Sequence, residues 1–158
     1  MKVQEIMTTN VFTVTDSQTL KDAAQIMWEH DCGCVPVVSA QSGQLVSMVT
    51  DRDIAMASYT SGKCLFDLPV TSAQAKKAIM AAPDDDIGNV EQCMQSNQIR
   101  RIPVVDEASK LVGIVSLNDI ALASSYGRSG VSAKEVAGTL AAICQKTGSK
   151  PMKAVVNA

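Results

Sequence analysis

The sequence predicts an α+β fold built from two copies of a strand–helix–strand–strand–helix (βαββα) unit, closed by a short C-terminal helix. Three observations carry this. The run P-V-V-S-A-Q-S-G-Q-L-V-S-M-V-T-D-R-D-I-A-M-A-S at 36–58 returns as P-V-V-D-E-A-S-K-L-V-G-I-V-S-L-N-D-I-A-L-A-S at 103–124. Within each copy, apolar residues switch between a helical period and short β-rich runs broken by turn residues. One such unit is too small to bury its own apolar face, so the two copies are expected to pack on each other.

The correspondence extends upstream of the obvious repeat. At an offset of 67, Val3 falls on Val70, Val11-Phe12 on Ala78-Ile79, Leu20 on Ile87 and Met27 on Met94. A one-residue deletion within 41–44 shifts the offset to 66, so that 45–58 match 111–124. Turn-rich loops tolerate such deletions. The expected organisation is a first repeat at 1–61, a link at 62–69, a second repeat at 70–127, and a C-terminal helix and tail at 128–158.

The elements follow in chain order. An extended run opens each copy, at 11–15 and 78–82. A helix follows, with Leu20, Ala23, Ala24 and Met27 on one face, and Ile87, Val90 and Met94 in the second copy. The second copy's helix is expected to open with Asp84-Asp85-Asp86, acids placed where the helix dipole favours them. Two β-rich runs joined by a turn come next, at 34–38 with 44–49 and at 102–105 with 110–115. A closing helix starts at Asp51 and at Leu117. Ile54-Ala55-Met56-Ala57 and Ile120-Ala121-Leu122-Ala123 are apolar almost all round, which calls for a second packing partner and favours a homodimer. From Ser132, the spacing of Val136, Leu140, Ile143 and Cys144 predicts the last helix. The stretch 148–158 reads as a loose tail.

Composition narrows the function classes. The 158 residues are 46% hydrophobic and carry a net charge of −2, which argues for a globular chain without general affinity for nucleic acid or anionic membrane. Five aromatic residues are too few for a single-strand stacking platform. No apolar run approaches a membrane span. The polar start Met1-Lys2-Val3-Gln4-Glu5 does not read as a signal peptide, and five irregularly spaced cysteines read as reduced thiols, so the expected location is cytoplasmic.

Each copy ends its second β-run in a hydroxyl residue followed three positions later by aspartate: Thr50/Asp53 and Ser116/Asp119. At a strand-to-helix junction, free backbone N–H groups can hold a phosphate, the hydroxyl adds a donor, and an aspartate can grip ribose hydroxyls. The same spacing is also a capping box, in which the two side chains only satisfy the helix end. Two equivalent copies, with Arg52 and Arg100-Arg101 placed to converge on them, favour a ligand site.

The pattern apolar-x-Pro-Val-Val, turn, Leu-Val-Gly-Ile-Val-Ser-x-x-Asp-Ile resembles a cystathionine β-synthase (CBS) domain. Two in tandem resemble a Bateman module. The opening V-Q-E-I-M-T-T-N-V-F-T-V is also typical, and the likeness covers roughly 3–124. It implies two βαββα repeats packed with pseudo-two-fold symmetry, with an adenine nucleotide bound between them as a regulatory ligand. AMP stands foremost, with ATP, ADP, NAD and S-adenosylmethionine as the other candidates. Carried over by position, Asp53 and Asp119 would hold ribose, and Thr50 and Ser116 would face phosphate or ribose, with Asn118 beside the latter. Backbone at Asn10-Val11 and Lys77-Ala78 would line the adenine slots. Cys34-Val35-Pro36 and Arg101-Ile102-Pro103 would form the opposite walls, with Arg100, Arg101 and Arg52 neutralising phosphate. Two departures bear on this: Ser47 stands where Gly113 stands in the second copy and could crowd the first cleft, and Ala73-Gln74 replace the pair Ile6-Met7. One occupied cleft and two are both open.

Other signals are weaker. Cys32-Gly33-Cys34 lacks the partners of a metal site and reads as core filling. His30, the single histidine, reads as solvated or C-capping. Lys76-Lys77 is too short for a nucleic-acid patch. No nucleophile–base pair, metal set or Gly-rich phosphate loop is present, so the chain does not read as an enzyme. The alternative readings are an interaction or scaffold dimer whose hydroxyl–aspartate pairs are caps only, and an enzyme acting on nucleotides. Any downstream protein is unknown.

Overall fold

A computed structural model describes residues 1–73, 78–127 and 130–145. The chain folds as β1 (Val14–Thr15), α1 (Leu20–Glu29), β2 (Cys34–Val38), β3 (Leu45–Thr50) and α2 (Asp51–Ser61), then α3 (Ile87–Asn97), β4 (Arg101–Val105), β5 (Leu111–Ser116), α4 (Leu117–Ser125) and α5 (Ala133–Cys144). The protein is α+β, as the sequence predicts.

The two hairpins are built alike. Cys34 pairs with Thr50 in β2–β3, and Arg101 with Ser116 in β4–β5. Each carries a register shift at the same place, between Val37 and Val38 and between Val104 and Val105. The bulge turns each strand end away from its sheet. The two hairpin loops meet where Leu45 N–H donates to Ser109 O at 2.9 Å and Gln44 Nε2 to Ala108 O at 2.9 Å.

The opening strands are shorter than expected. Of 11–15 only Val14 and Thr15 pair, in parallel with β2. In 78–82, pairing reduces to one parallel bridge between Ala81 and Val104. Pro83 follows two residues later and has no N–H to extend a ladder. The segments ahead of these pairs line clefts instead. The acid run is also displaced: α3 begins after Asp86, whose carboxylate pairs with Lys2 Nζ at 3.1 Å, while Asp85 Oδ2 accepts from Ala82 N–H at 2.8 Å. These acids tie down the preceding loop and do not occupy the helix's first turn.

Two hydrophobic cores result. One contains Val14, Leu20, Met27, Val35, Val37 and Val49; the other contains Ile87, Met94, Ile102, Val104, Val115 and Ile120. Each also receives the opening segment of the other repeat. Val3 is fully buried in the second core, where its N–H donates to Asp85 O at 3.0 Å. Val70 is fully buried in the first, where its N–H donates to Gln18 O at 2.9 Å. The repeat seen in sequence is therefore not the unit that is packed: each core borrows a strap from its neighbour.

The C-terminal helix docks on α3 and α4. Ser132 caps it, accepting from Glu135 N–H at 3.2 Å while Glu135 returns a carboxylate to Ser132 N–H at 2.8 Å. Val136 and Ile143 pack on the second core, as their spacing predicts. Leu140 does not: it stays 47% exposed, and Thr139 is the residue fully buried on that turn. Thr139 Oγ1 donates to Glu91 Oε1 at 3.1 Å and accepts from Gln95 Nε2 at 2.8 Å, a polar contact that hydropathy cannot signal. The expected tail at 148–158 lies outside the described residues.

Candidate functional site

Two clefts of similar size lie between the repeats, at about 350 and about 330 Å³. Both fall in the range of small-ligand pockets. The first gathers Thr50, Arg52 and Asp53 from the start of α2 with Ala78, Ile79 and the segment from Gln98 to Arg101 of the second repeat. The second gathers Ser116, Asn118 and Asp119 from the start of α4 with Asn10, Val11, Phe12, His30, Cys34 and Pro36 of the first repeat. Each cleft thus joins the helix start of one repeat to the opening run and strand start of the other.

Backbone geometry explains the convergence. Asp51 N–H donates to Gly33 O at 3.3 Å, and Leu117 N–H to Arg100 O at 2.9 Å, so each closing helix begins beside the start of its own hairpin. Asp31 (φ 48°) and Gln98 (φ 52°) take left-handed backbone at equivalent positions and turn the chain from helix into strand at the cleft edge. Neither is glycine, so the sequence carries no sign of this turn.

The hydroxyl–aspartate pairs are capping boxes. Thr50 Oγ1 accepts from Asp53 N–H at 3.2 Å and donates to Asp53 Oδ2 at 2.6 Å, while that oxygen also accepts from Thr50 N–H at 2.9 Å. Ser116 and Asp119 repeat the arrangement at 3.2, 2.6 and 2.8 Å. Each hydroxyl proton is committed to its own aspartate, so neither Thr50 nor Ser116 offers the extra donor expected of it. Each carboxylate still keeps Oδ1 without a hydrogen bond among the described residues.

Of the remaining expected residues, Pro103 lines the first cleft, and Cys34 and Arg101 line both. Val35 and Ile102 do not reach a cleft: they are fully buried or nearly so, one in each core. Strand alternation sends them to the face opposite Cys34 and Arg101. Lys77 lies outside the described residues, as does Gln74. Ser47 does not crowd the first cleft. It is buried at 1% exposure opposite Val37 in the β2–β3 ladder, and its neighbour Met48 takes the cleft wall. The glycine at the matching place in the second copy answers a different need. A Cβ on Gly113 would lie 2.7 Å from Met7 Sδ and 3.0 Å from Thr8 O, where the N-terminal strap crosses β5.

Residues outside the motif complete the walls. His30 caps the end of α1, as expected, but it also stacks on Phe12 with ring centroids 3.4 Å apart and planes 7° from parallel, forming a flat side of the second cleft. Burial pushes the Cys34 thiol up to about 11, against the pull of Arg101, so it remains a neutral thiol. Among the described residues, no cluster of three or more His, Cys, Asp or Glu could hold a metal ion. No helix among them is long and apolar enough to cross a membrane.

A tandem α+β repeat with paired inter-repeat clefts defines a class, and comparison identifies it. The CBS domain model matches residues 3–59 and 70–126, so the chain belongs to the CBS domain family as a tandem pair. It is 39% identical over 120 residues to the CBS domain-containing protein YhcV of Bacillus subtilis (strain 168), covering 76% of this chain and 83% of that one. The CBS domain pair of protein MJ0100, solved in complex with 5′-methylthioadenosine and S-adenosyl-L-methionine, matches with a TM-score of 0.72 at 26% identity over 81% of this chain and 98% of that one. Hypoxic Response Protein I, solved with two coordinated zinc ions, matches with a TM-score of 0.69 at 32% identity over 77% and 98%.

Proposed function

We propose that the chain is a regulatory module that binds an adenine nucleotide between its repeats and passes that event on as a change in their packing. The observation that carries this is the convergence at each cleft. An aspartate oxygen left over from a capping box, a helix N-terminus and a slot from the opposite repeat meet in a space of nucleoside size. The free Oδ1 suits ribose hydroxyls, and the helix start suits a phosphate. That the similar MJ0100 pair was solved with two adenosine compounds supports the same ligand class. AMP is the first candidate, with ADP, ATP, NAD and S-adenosylmethionine beside it. The ligand shifts a two-state packing only as far as it prefers one state.

Isothermal titration against these five compounds is the test. Asp53→Asn with Asp119→Asn keeps the cap acceptors but removes the charge facing ribose, and binding should weaken at least about tenfold. Failure of all five to bind the wild-type chain, or unchanged affinity in the double variant, would end this reading. Incubation with ATP or NAD is expected to give no turnover, since we read the chain as regulatory and its setting as cytoplasmic.

A second reading, an interaction or scaffold dimer, draws on the closing helices. Met56 and Leu122 occupy equivalent positions on α2 and α4 and are 48% and 52% exposed, with Tyr59 and Tyr126 beside them at 81% and 75%. These outer faces suit a second copy of the chain. Light scattering is expected to give a dimer, and Met56→Lys with Leu122→Lys to give a monomer. A monomeric wild-type chain would end this second reading.

A further inference from the structure

Internal doubling supplies its own control, because each position in one cleft has a counterpart in the other. The acid and hydroxyl are kept: Thr50 and Asp53 correspond to Ser116 and Asp119. The basic residues are not. Arg52 in the first cleft corresponds to Asn118 in the second, and Arg100-Arg101 correspond to Gly33-Cys34. The first cleft therefore carries three arginines, at the starts of α2 and β4. The second has only Arg101, which lies on the wall common to both.

This charge is free to act. None of the three arginines forms a salt bridge among the described residues, where the one such pair is Lys2–Asp86. Two carboxylates share this cleft, Asp51, whose Oδ1 accepts from Arg52 N–H at 2.7 Å, and Asp53, whose Oδ2 is held in the cap, so three arginines face two aspartates there against one of each in the second cleft. Both clefts have a helix N-terminus, so the dipole does not distinguish them. Charged side chains do: the arginines, offset in part by Asp51, whose counterpart in the second copy is Leu117. A phosphate in the first cleft would meet Arg52 and Arg100 at close range. In the second it would face Asp119 with a single shared guanidinium to offset it, beside the flat Phe12–His30 stack.

We infer that the two clefts take ligands of different charge: the first a phosphorylated adenine nucleoside, the second an adenine nucleoside whose 5′ substituent carries no phosphate. This rests on reading both clefts as adenosine-compound sites. Arg101 sharpens the difference. Phosphate bound in the first cleft draws the shared guanidinium towards itself, leaving the second cleft more negative and less hospitable to a second anion.

Titration of the full chain with ADP and with adenosine tests this. The wild-type chain is expected to take one ADP per chain, with an affinity that falls as salt rises. Adenosine should still bind, one per chain, after ADP saturation. Arg52→Asn with Arg100→Gln should weaken ADP at least about tenfold while leaving adenosine binding to the ADP-free second cleft within about twofold. Asn118→Arg, an exposed gain of charge that leaves the fold intact, should create a second ADP site. Two equal ADP sites in the wild-type chain, or proportional loss of ADP and adenosine binding in the double variant, would overturn this inference while leaving the adenine-binding reading in place. No binding of either compound would overturn both.

Discussion

Asp53 and Asp119 each close a helix cap through one oxygen, Oδ2, and each lines a cleft, so capping and the proposed binding are not exclusive alternatives. The sequence marks the pair but cannot divide its oxygens between the two roles. Asp119→Ala should therefore cost about 1 kcal/mol of stability by removing the carboxylate half of the capping box while Ser116 still caps the helix, whereas Asp119→Asn should cost much less and still impair ligand binding. Chemical denaturation beside titration separates the two effects. Gly113 is constrained by a different neighbour. Because its Cβ would collide with Met7 Sδ and Thr8 O, Gly113→Ala should destabilise by about 1–3 kcal/mol and loosen the strap over β5. Thermal melting with proteolysis at the N-terminus would show it, and a variant melting like wild type would contradict it.

At the scale of elements, the docking of α5 on α3 carries a buried acid. Burial holds the Glu91 carboxyl above its usual value of 4.5, and neighbouring Glu135 adds to the rise while the Thr139 hydroxyl opposes it. A raised folded-state value means the native protein binds this proton more tightly than the unfolded chain. Its stabilising contribution is fully present below 4.5 and is lost as pH rises through the folded value. Glu91→Gln keeps an acceptor for Thr139 without the charge, so it should raise the melting temperature at neutral pH and flatten that part of the stability–pH curve. Asp22 at the start of α1 acts in the opposite sense. Backbone and side-chain hydrogen bonds from Thr19 hold it below its usual value, so its contribution is present above 3.8 and is lost on acidification through the folded value.

The whole molecule is held together by exchanged straps. Val3 completes the second core and Val70 the first, at positions that the 67-residue offset makes equivalent. Val3→Ala should cost about 2 kcal/mol through lost burial and the cavity left behind. The loss should register far along the chain. Hydrogen exchange is expected to rise in α3, β4 and β5 before it rises in β2 and β3, and the reverse order would show that the strap stabilises its own repeat.

Much of the architecture was legible because doubling repeats the same local signals: the hairpins, the starts of α2 and α4 and the apolar faces of α1 and α3 all follow from period and turn chemistry, and the start of the last helix at Ser132, outside the repeats, follows from its apolar spacing. Those features depend on neighbours within a few residues, which is the range over which a sequence pattern speaks. Which segment faces Asp53 and Asp119 across each cleft, how Arg101 comes to line two clefts, and why Gly113 rather than Ser47 needs to be small were decided only by tertiary structure. Each of these depends on a segment some dozens of residues away, brought close by packing that no local periodicity encodes.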